Sequence, residues 1–473
     1  MTRTTHRPSS CTRRTALAGL ALALGGCATG PAYRRPEVTT PPVWRHADGW
    51  VVATPADALD RGPWWRLFGD ATLDALAAQV EVSNQNVAAA TAAYAQARAL
   101  VAQQRAALFP VVTLDGSTSR SGSRGSDAGG GRTGNSFRIG IGASWEPDVW
   151  GRLRSAVTGA RAGAEASAAD LASARLSAQG ELVVAYVGLR LADVQKRLLD
   201  DTLAGYQRQL QIARNRYDAG VVARTDVLQA ETQLANTQAD LLGLVRSRAQ
   251  FEHAIAVLVG KAPAELTVAP DPAWRPTAPA VPVGVPSTLL QRRPDIAAAE
   301  RRVAAANAQV GIARTAWYPS LGLDGSLGAS ASRLGSLTSA SSLLWSLGVS
   351  TLQTLFDAGA TRARVDAALA ANDEATARYR QTVLVAFQDV EDQLVAAQVL
   401  ARQEALRRQA ATAAAQVQAQ VQNRYQAGQV SYTEVVTAQV TALTAQRALV
   451  QLLADRQVAA VALIQALGGG WSG

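Results

Sequence analysis

The sequence predicts a mainly α-helical fold with transmembrane β-strands, built from one helix, β-hairpin and long helical-hairpin unit that occurs twice. Three observations lead there. Asn215-Arg216-Tyr217-Asp218-Ala219-Gly220 returns as Asn423-Arg424-Tyr425-Gln426-Ala427-Gly428, at an offset of 208 residues. Two stretches of more than sixty residues, Arg152 to Arg216 and Thr361 to Arg424, contain no proline. Each copy also carries segments of about ten residues in which apolar and small or polar side chains alternate, the pattern of an outer-membrane strand.

Composition bounds the reading. The 473 residues are 48% hydrophobic and 18% charged, which excludes a disordered chain. Only 5% are aromatic, so long helices packed through small side chains fit better than a large aromatic core. The formal charge of +9 invites a nucleic-acid reading. However, Arg3, Arg7, Arg13 and Arg14 fall in a segment expected to be removed, and the other arginines are interspersed with Asp and Glu. Without a basic patch, nucleic-acid binding is not expected.

Residues 1–26 read as a secretory signal: Arg13-Arg14, a short apolar run from Ala16 to Leu24, then Leu24-Gly25-Gly26-Cys27. The run is too short to span a bilayer, which takes about 20 residues. Thr12-Arg13-Arg14 hints at the twin-arginine route. Leu-Gly-Gly-Cys resembles the bacterial lipobox, which implies that Cys27 becomes the acylated first residue and that Ala28 directs it to the outer membrane. The cysteines are Cys11 and Cys27, so the processed chain keeps one thiol and can form no internal disulfide. Residues 27–70 follow as an extended, Pro-rich, lipid-anchored segment. No other stretch reads as a transmembrane helix, so a membrane crossing must use a closed β-barrel.

Repeat 1 spans 71–260. Its first helix covers Leu73 to Leu108 and stops at Pro110, because proline cannot continue a helix interior. A β-hairpin occupies about 110–148, around a Gly/Ser-rich loop from Ser121 to Gly134. Its return strand places Phe137, Ile139, Ile141, Ala143 and Trp145 on one face, with Ser136, Arg138, Gly140, Gly142 and Ser144 on the other. The long helical hairpin follows, turning at Asn-Arg-Tyr-x-Ala-Gly, where Gly220 can adopt the left-handed conformation. Here Ala223 cannot cap the second helix, so Thr225 or Asp226 is expected to do so. A linker at 261–285, rich in Pro and Ala, joins the copies.

Repeat 2 spans 286–467 with the same order. A helix covers Ile296 to Trp317 before Pro319, and a hairpin occupies about 319–356. Trp345, Leu347, Val349 and Thr351 alternate with Ser346, Gly348 and Ser350. The long hairpin turns at Gly428, and Ser431-Tyr432-Thr433-Glu434 fits a capping box. Residues 468–473 form a short tail. Four strands cannot close a barrel in lipid, since the smallest bacterial barrels have eight and an open edge cannot face hydrocarbon. The chain must therefore oligomerise.

These motifs resemble the outer-membrane factor family, of which TolC is the best-known member, and within it the NodT-type lipoproteins. The matching residues are Cys27 with Gly30-Pro31-x-Tyr33-x-x-Pro36, Trp64-Trp65-x-x-Phe68-x-Asp70, Pro286-Ser287, Leu289-Leu290-x-Arg292-Arg293-Pro294-Asp295-Ile296, Ala299-Glu300-Arg301 and Ala466-Leu467-Gly468-Gly469-Gly470-Trp471. The resemblance implies a homotrimer giving four strands per protomer to one 12-stranded barrel, continuous with a periplasmic α-helical barrel. It implies an outer-membrane efflux channel served by a periplasmic adaptor protein and an inner-membrane pump of the resistance-nodulation-division type. It places the adaptor contact at the periplasmic turns, here Gly220, Gly428, Tyr217 and Tyr425. Many relatives narrow the pore with an Asp at the places held here by Gln229 and Thr437. The candidate gate therefore falls to Asp226 and Glu434, with Arg216 and Arg424 beside them.

No catalytic constellation is present. The histidines are His6, His46 and His253, and His253 reads as a packing residue without ligand company. Gly129-Gly130-Gly131 lacks the Lys-Ser/Thr of a phosphate loop and reads as an extracellular loop. No metal, cofactor or enzymatic activity is expected. A type I secretion duct would share this fold with a different partner. A structural coiled-coil lipoprotein would account for the anchor and the helices but not for the paired strands.

Overall fold

The computed structural model describes residues 30–45, 63–123, 132–279, 281 and 292–469. Cys27 and the signal segment, His46, Gly129-Gly130-Gly131 and most of the 280–291 stretch lie outside them.

In chain order the main elements are α1 (Ala71–Ser83), α2 (Gln85–Ala106), β1 (Val111–Ser123), β2 (Arg132–Trp145), α3 (Arg152–Asp218), α4 (Arg224–Leu258), α5 (Pro294–Thr315), β3 (Ser320–Ala331), β4 (Leu343–Leu352), α6 (Ala360–Gln426) and α7 (Tyr432–Ala466). The helix expected from Leu73 to Leu108 is interrupted. Asn84 sits in extended backbone, and its Oδ1 accepts from the Asn86 and Val87 amides, at 3.0 and 3.1 Å. That side chain competes with the backbone for the next turn's donors and starts a new helix. Its Nδ2 donates to the Leu258 carbonyl at 2.8 Å, so the break is held from α4. α3 and α6 each contain 67 residues, about 100 Å at 1.5 Å per residue.

The strands form one antiparallel sheet in the order β1-β2-β3-β4. β1 and β2 pair as far as Ser123↔Arg132, so the hairpin loop is shorter than the expected Ser121–Gly134. Glycine and serine do not prevent ladder bonds, which use only the backbone.

Contacts divide the described chain into two compact units. The first holds the sheet with residues up to 37, 94–167 and 298–379. There the N-terminal segment lies on α5: Gly30 packs so close to Gly311 that a Cβ would come within 3.1 Å of its Cα. Asn307 Nδ2 donates to the Pro31 carbonyl at 3.0 Å, and the Tyr33 hydroxyl donates to Glu300 Oε1 at 3.0 Å.

The second unit holds 38–93, 168–297 and 380–473. Its core includes Leu182, Val183, Tyr186 and Leu189 of α3, Val383, Val390 and Leu394 of α6, and Leu463 and Ile464 of α7. α7 is long and apolar enough to cross a membrane by length and composition, as the core helix of a folded unit also is. Its apolar residues are instead buried in this unit, among them Val461, Leu463 and Ile464. The described linker is packed rather than free. Arg190 Nη1 donates to the Ala269 carbonyl at 2.7 Å, and Arg248 Nη2 to the Val268 carbonyl at 2.6 Å. Those arginines share Asp193, which is 3% exposed. Polar groups buried this deeply need such partners.

Candidate functional site

Both hairpin turns close in the same way. After α3, the Gly220 amide donates to the Tyr217 carbonyl and the Val221 amide to the Arg216 carbonyl, each at 2.8 Å. After α6, Gly428 and Gln429 donate to Tyr425 and Arg424 at 3.0 and 2.9 Å. Crossed bonds of this kind satisfy the last helical carbonyls and need a left-handed residue. Gly220 has φ +71° and Gly428 φ +72°, and a Cβ at either would meet open space.

The helices that follow start differently. Ser431 and Glu434 make the reciprocal capping box. Ala223 occupies the matching place before α4 with no side-chain cap, so neither Thr225 nor Asp226 takes the expected role. Both follow Arg224 inside the first turn, and the N-cap place belongs to Ala223, which has no side-chain oxygen to accept a hydrogen bond.

The ends of the four long helices share one core. Leu210 and Ala213 of α3, Val227 and Ala230 of α4, Tyr425 of α6, and Tyr432 and Val435 of α7 form one buried cluster. Tyr425 and Tyr432 meet at 5.6 Å between ring centroids, tilted 57°. The Arg216 guanidinium lies 5.0 Å from the Tyr425 ring centroid, a cation–π contact that ties the first hairpin to the second. Thr433 Oγ1 donates to Gln229 Oε1 at 3.3 Å, adding a polar tie.

Burial raises the pKa of Tyr425, and Asp226 raises it further while Arg216 pulls it down. Tyr432 is pushed up to about 12, first by burial and then by Tyr425, Tyr206 and Asp226.

The site residues read from the sequence are thus sorted. Tyr217 is 43% exposed on the first tip, whereas Tyr425 is 7% exposed and belongs to the core, so it offers no docking surface. Among the candidate gate residues, Arg216 is engaged on Tyr425, Glu434 is engaged in the cap, Asp226 is half-buried and Arg424 is exposed. Tyr432 was missed. A signal existed, because the repeat places Arg224 where copy two has Tyr432. His253 is exposed on α4 and is not a packing residue of the protomer; buried Ile255, two residues on, lies on the opposite side of the helix.

The sheet has two chemically distinct faces, set by register. Leu114 pairs with Ile141, Ile141 with Leu327, and Leu327 with Trp345, so these share one face with Ile139, Leu347 and Val349. All of them are exposed in the protomer. The opposite face carries Asp115, Arg138, Gly140, Gly142, Asp324, Ser326, Ser346 and Gly348. Val111, Leu344 and Leu352 join that face towards the strand ends. An apolar band outside and a mainly small or polar face inside is what a water-filled lipid-embedded barrel requires. Small residues also let strands approach, since a Cβ on Gly328 would lie 2.7 Å from the Ile139 carbonyl oxygen.

A protomer whose exposed apolar sheet ends in two edge strands without partners among the described residues, and whose chain also forms long paired helices, is one part of an outer-membrane channel. The family described as outer membrane efflux protein matches residues 76–261 and 285–469, and the chain belongs to that family. It is 33% identical over 457 residues to the pyoverdine export outer membrane protein OpmQ of Pseudomonas aeruginosa, covering 95% of each chain. It is 30% identical to the cation efflux system protein CusC of Escherichia coli O6:H1, over 96% of this chain and 97% of that one. The solved structure of the outer-membrane channel OprN superposes with a TM-score of 0.86 at 32% identity, over 94% of this chain and all of that one. The fold is accordingly that of the trimeric outer-membrane channels, with four strands per protomer and a periplasmic helical extension. The protein is an efflux channel of the outer membrane, not an enzyme.

Proposed function

We propose that this channel is the passive exit duct for small molecules in a tripartite system. An inner-membrane pump of the resistance-nodulation-division type would deliver the cargo. A periplasmic adaptor would dock on the Gly220 and Gly428 turns, and Asp226, Glu434, Arg216 and Arg424 around them would narrow the closed pore. Such a duct has no energy source of its own, so transport must be driven by the pump. The observation that carries the reading is the open space where a Cβ would stand at both glycines. Backbone there can be approached closely by a partner helix tip.

Gly220→Phe with Gly428→Phe is expected to abolish adaptor pull-down and export while trimer yield stays normal. Gly220→Asn with Gly428→Asn tolerates the left-handed backbone and adds little bulk, so it should dock nearly as the parent does. Unchanged docking and export in the Phe pair would overturn the assignment. Equal loss in both pairs would reduce the glycines to helix caps.

We also assign Cys27 as the acylated residue.

A further inference from the structure

The second unit contains a cavity of about 310 Å³ whose wall includes Asp70, Tyr186, Asp271, Trp274, Arg275 and Gln457. That volume lies at the small end of ligand pockets. Gln457 is 3% exposed, and its Nε2 donates to the Thr277 carbonyl at 3.0 Å, which fixes the amide's orientation. Its Oε1 is buried and accepts no hydrogen bond from the described residues. A buried acceptor left unmatched costs about 1–3 kcal/mol unless a donor reaches it.

The rest of the wall is rigid and rich in acceptors. Asp70 Oδ2 accepts from the Tyr186 hydroxyl at 2.6 Å, and Tyr186 in turn accepts from Arg190 Nε at 2.9 Å. Asp70 Oδ1 caps α1 through the Thr72 and Leu73 amides. The Asp271 amide donates to Asp193 at 3.0 Å, so the linker segment bearing Asp271 and Trp274 is pinned by the same buried network. Tyr186 has thus spent its hydroxyl proton, and Arg275 is an exposed donor. Both Asp70 oxygens are engaged as well, and Asp271 Oδ1 accepts from the Ala273 amide at 3.0 Å. Asp271 Oδ2, the unmatched Gln457 oxygen and the Trp274 indole remain to select a guest.

We propose that this cavity binds a small organic cation, an alkyl guanidinium or ammonium, whose N–H groups satisfy Gln457 Oε1 and Asp271. The Trp274 ring would cover the charge, as aromatic faces do for cations. The Arg190–Asp193–Arg248 network preorganises the wall, so little ordering cost accompanies binding.

Agmatine is the probe, titrated into the full-length detergent-purified channel by calorimetry and saturation-transfer NMR, with pentanamide as the neutral comparator. One saturable agmatine site per protomer is expected, with no saturable pentanamide signal. Asp271→Asn, Trp274→Leu and Gln457→Leu should each weaken agmatine about tenfold or more while sizing shows an unchanged assembly. The agmatine-versus-pentanamide comparison on the parent protein stands even if a variant fails to assemble. No saturable agmatine binding, equal binding of pentanamide, or unchanged affinity in all three variants overturns the proposal and leaves a bound water only.

Discussion

Tyr217 and Tyr425 occupy the same place in the two copies, yet one faces outward and the other is the centre of the tip core. Neighbours cause the difference. Tyr425 has Tyr432 at 5.6 Å and Arg216 at 5.0 Å, whereas copy one has Arg224 in place of Tyr432. The buried phenols make the tip sensitive to alkali. Tyr432 titrates near 10 in an unfolded chain and at about 12 here. A group whose folded pKa is raised contributes stability that is complete below the unfolded pKa and is lost as pH rises through the folded one. Thermal stability of the tip, followed by hydrogen exchange of α4 and α7, should therefore hold to about pH 10 and fall toward pH 12. Tyr432→Phe should flatten that slope; a slope identical to the parent would show that Tyr432 is not the titrating group.

At the scale of an element, a strand is read by its parity. Ile141 lies on the apolar face and Ser346 on the opposite face of the same sheet. A cationic side chain near the membrane midplane of a barrel's lipid face costs about 2–4 kcal/mol, while lumen positions tolerate it. Ile141→Arg should thus reduce heat-stable, membrane-inserted channel sharply, and Ser346→Arg should leave insertion near normal. Urea extraction and heat-modifiable gel mobility compare the two, and equal insertion would refute the facing. The long helices obey a different rule. Without proline and with Gly220 or Gly428 placed only at the turn, α3 and α6 run for 67 residues each, and packing rather than propensity supports them.

For the whole molecule, trimerisation multiplies what one sheet carries. Asp115 and Asp324 on the inner face become six carboxylates in the duct. Pore selectivity follows lining charge. Bilayer recordings under a salt gradient should show a preference for cations, reduced in Asp115→Asn with Asp324→Asn. A reversal potential unchanged by the pair would assign selectivity elsewhere. On the proposed acylation of Cys27, anchorage would be shared between barrel and lipid. One acyl chain binds membranes only marginally, so Cys27→Ser should lose the acyl mass yet leave much of the channel inserted. An intact mass of the parent protein showing unmodified Cys27 would remove the anchor from the account.

The duplication, the proline-free spans, the strand parity and the turn glycines are local or periodic features, and they were legible because helix and strand periods are written directly into side-chain order. The exception at Arg224, where copy two has Tyr432, was present in the repeat but went unread. What the order of residues could not show was which equivalent residue turns inward. Tyr425 is buried and Tyr217 exposed because two pairs of helix ends, one from each repeat copy, converge on one cluster. The same holds for the linker, which composition marks only as rich in Pro and Ala. Arg190, Asp193 and Arg248 hold it by hydrogen bonds to its backbone. Backbone carbonyls and amides look alike in every sequence, so only the tertiary structure decides which of them a buried charge will bind.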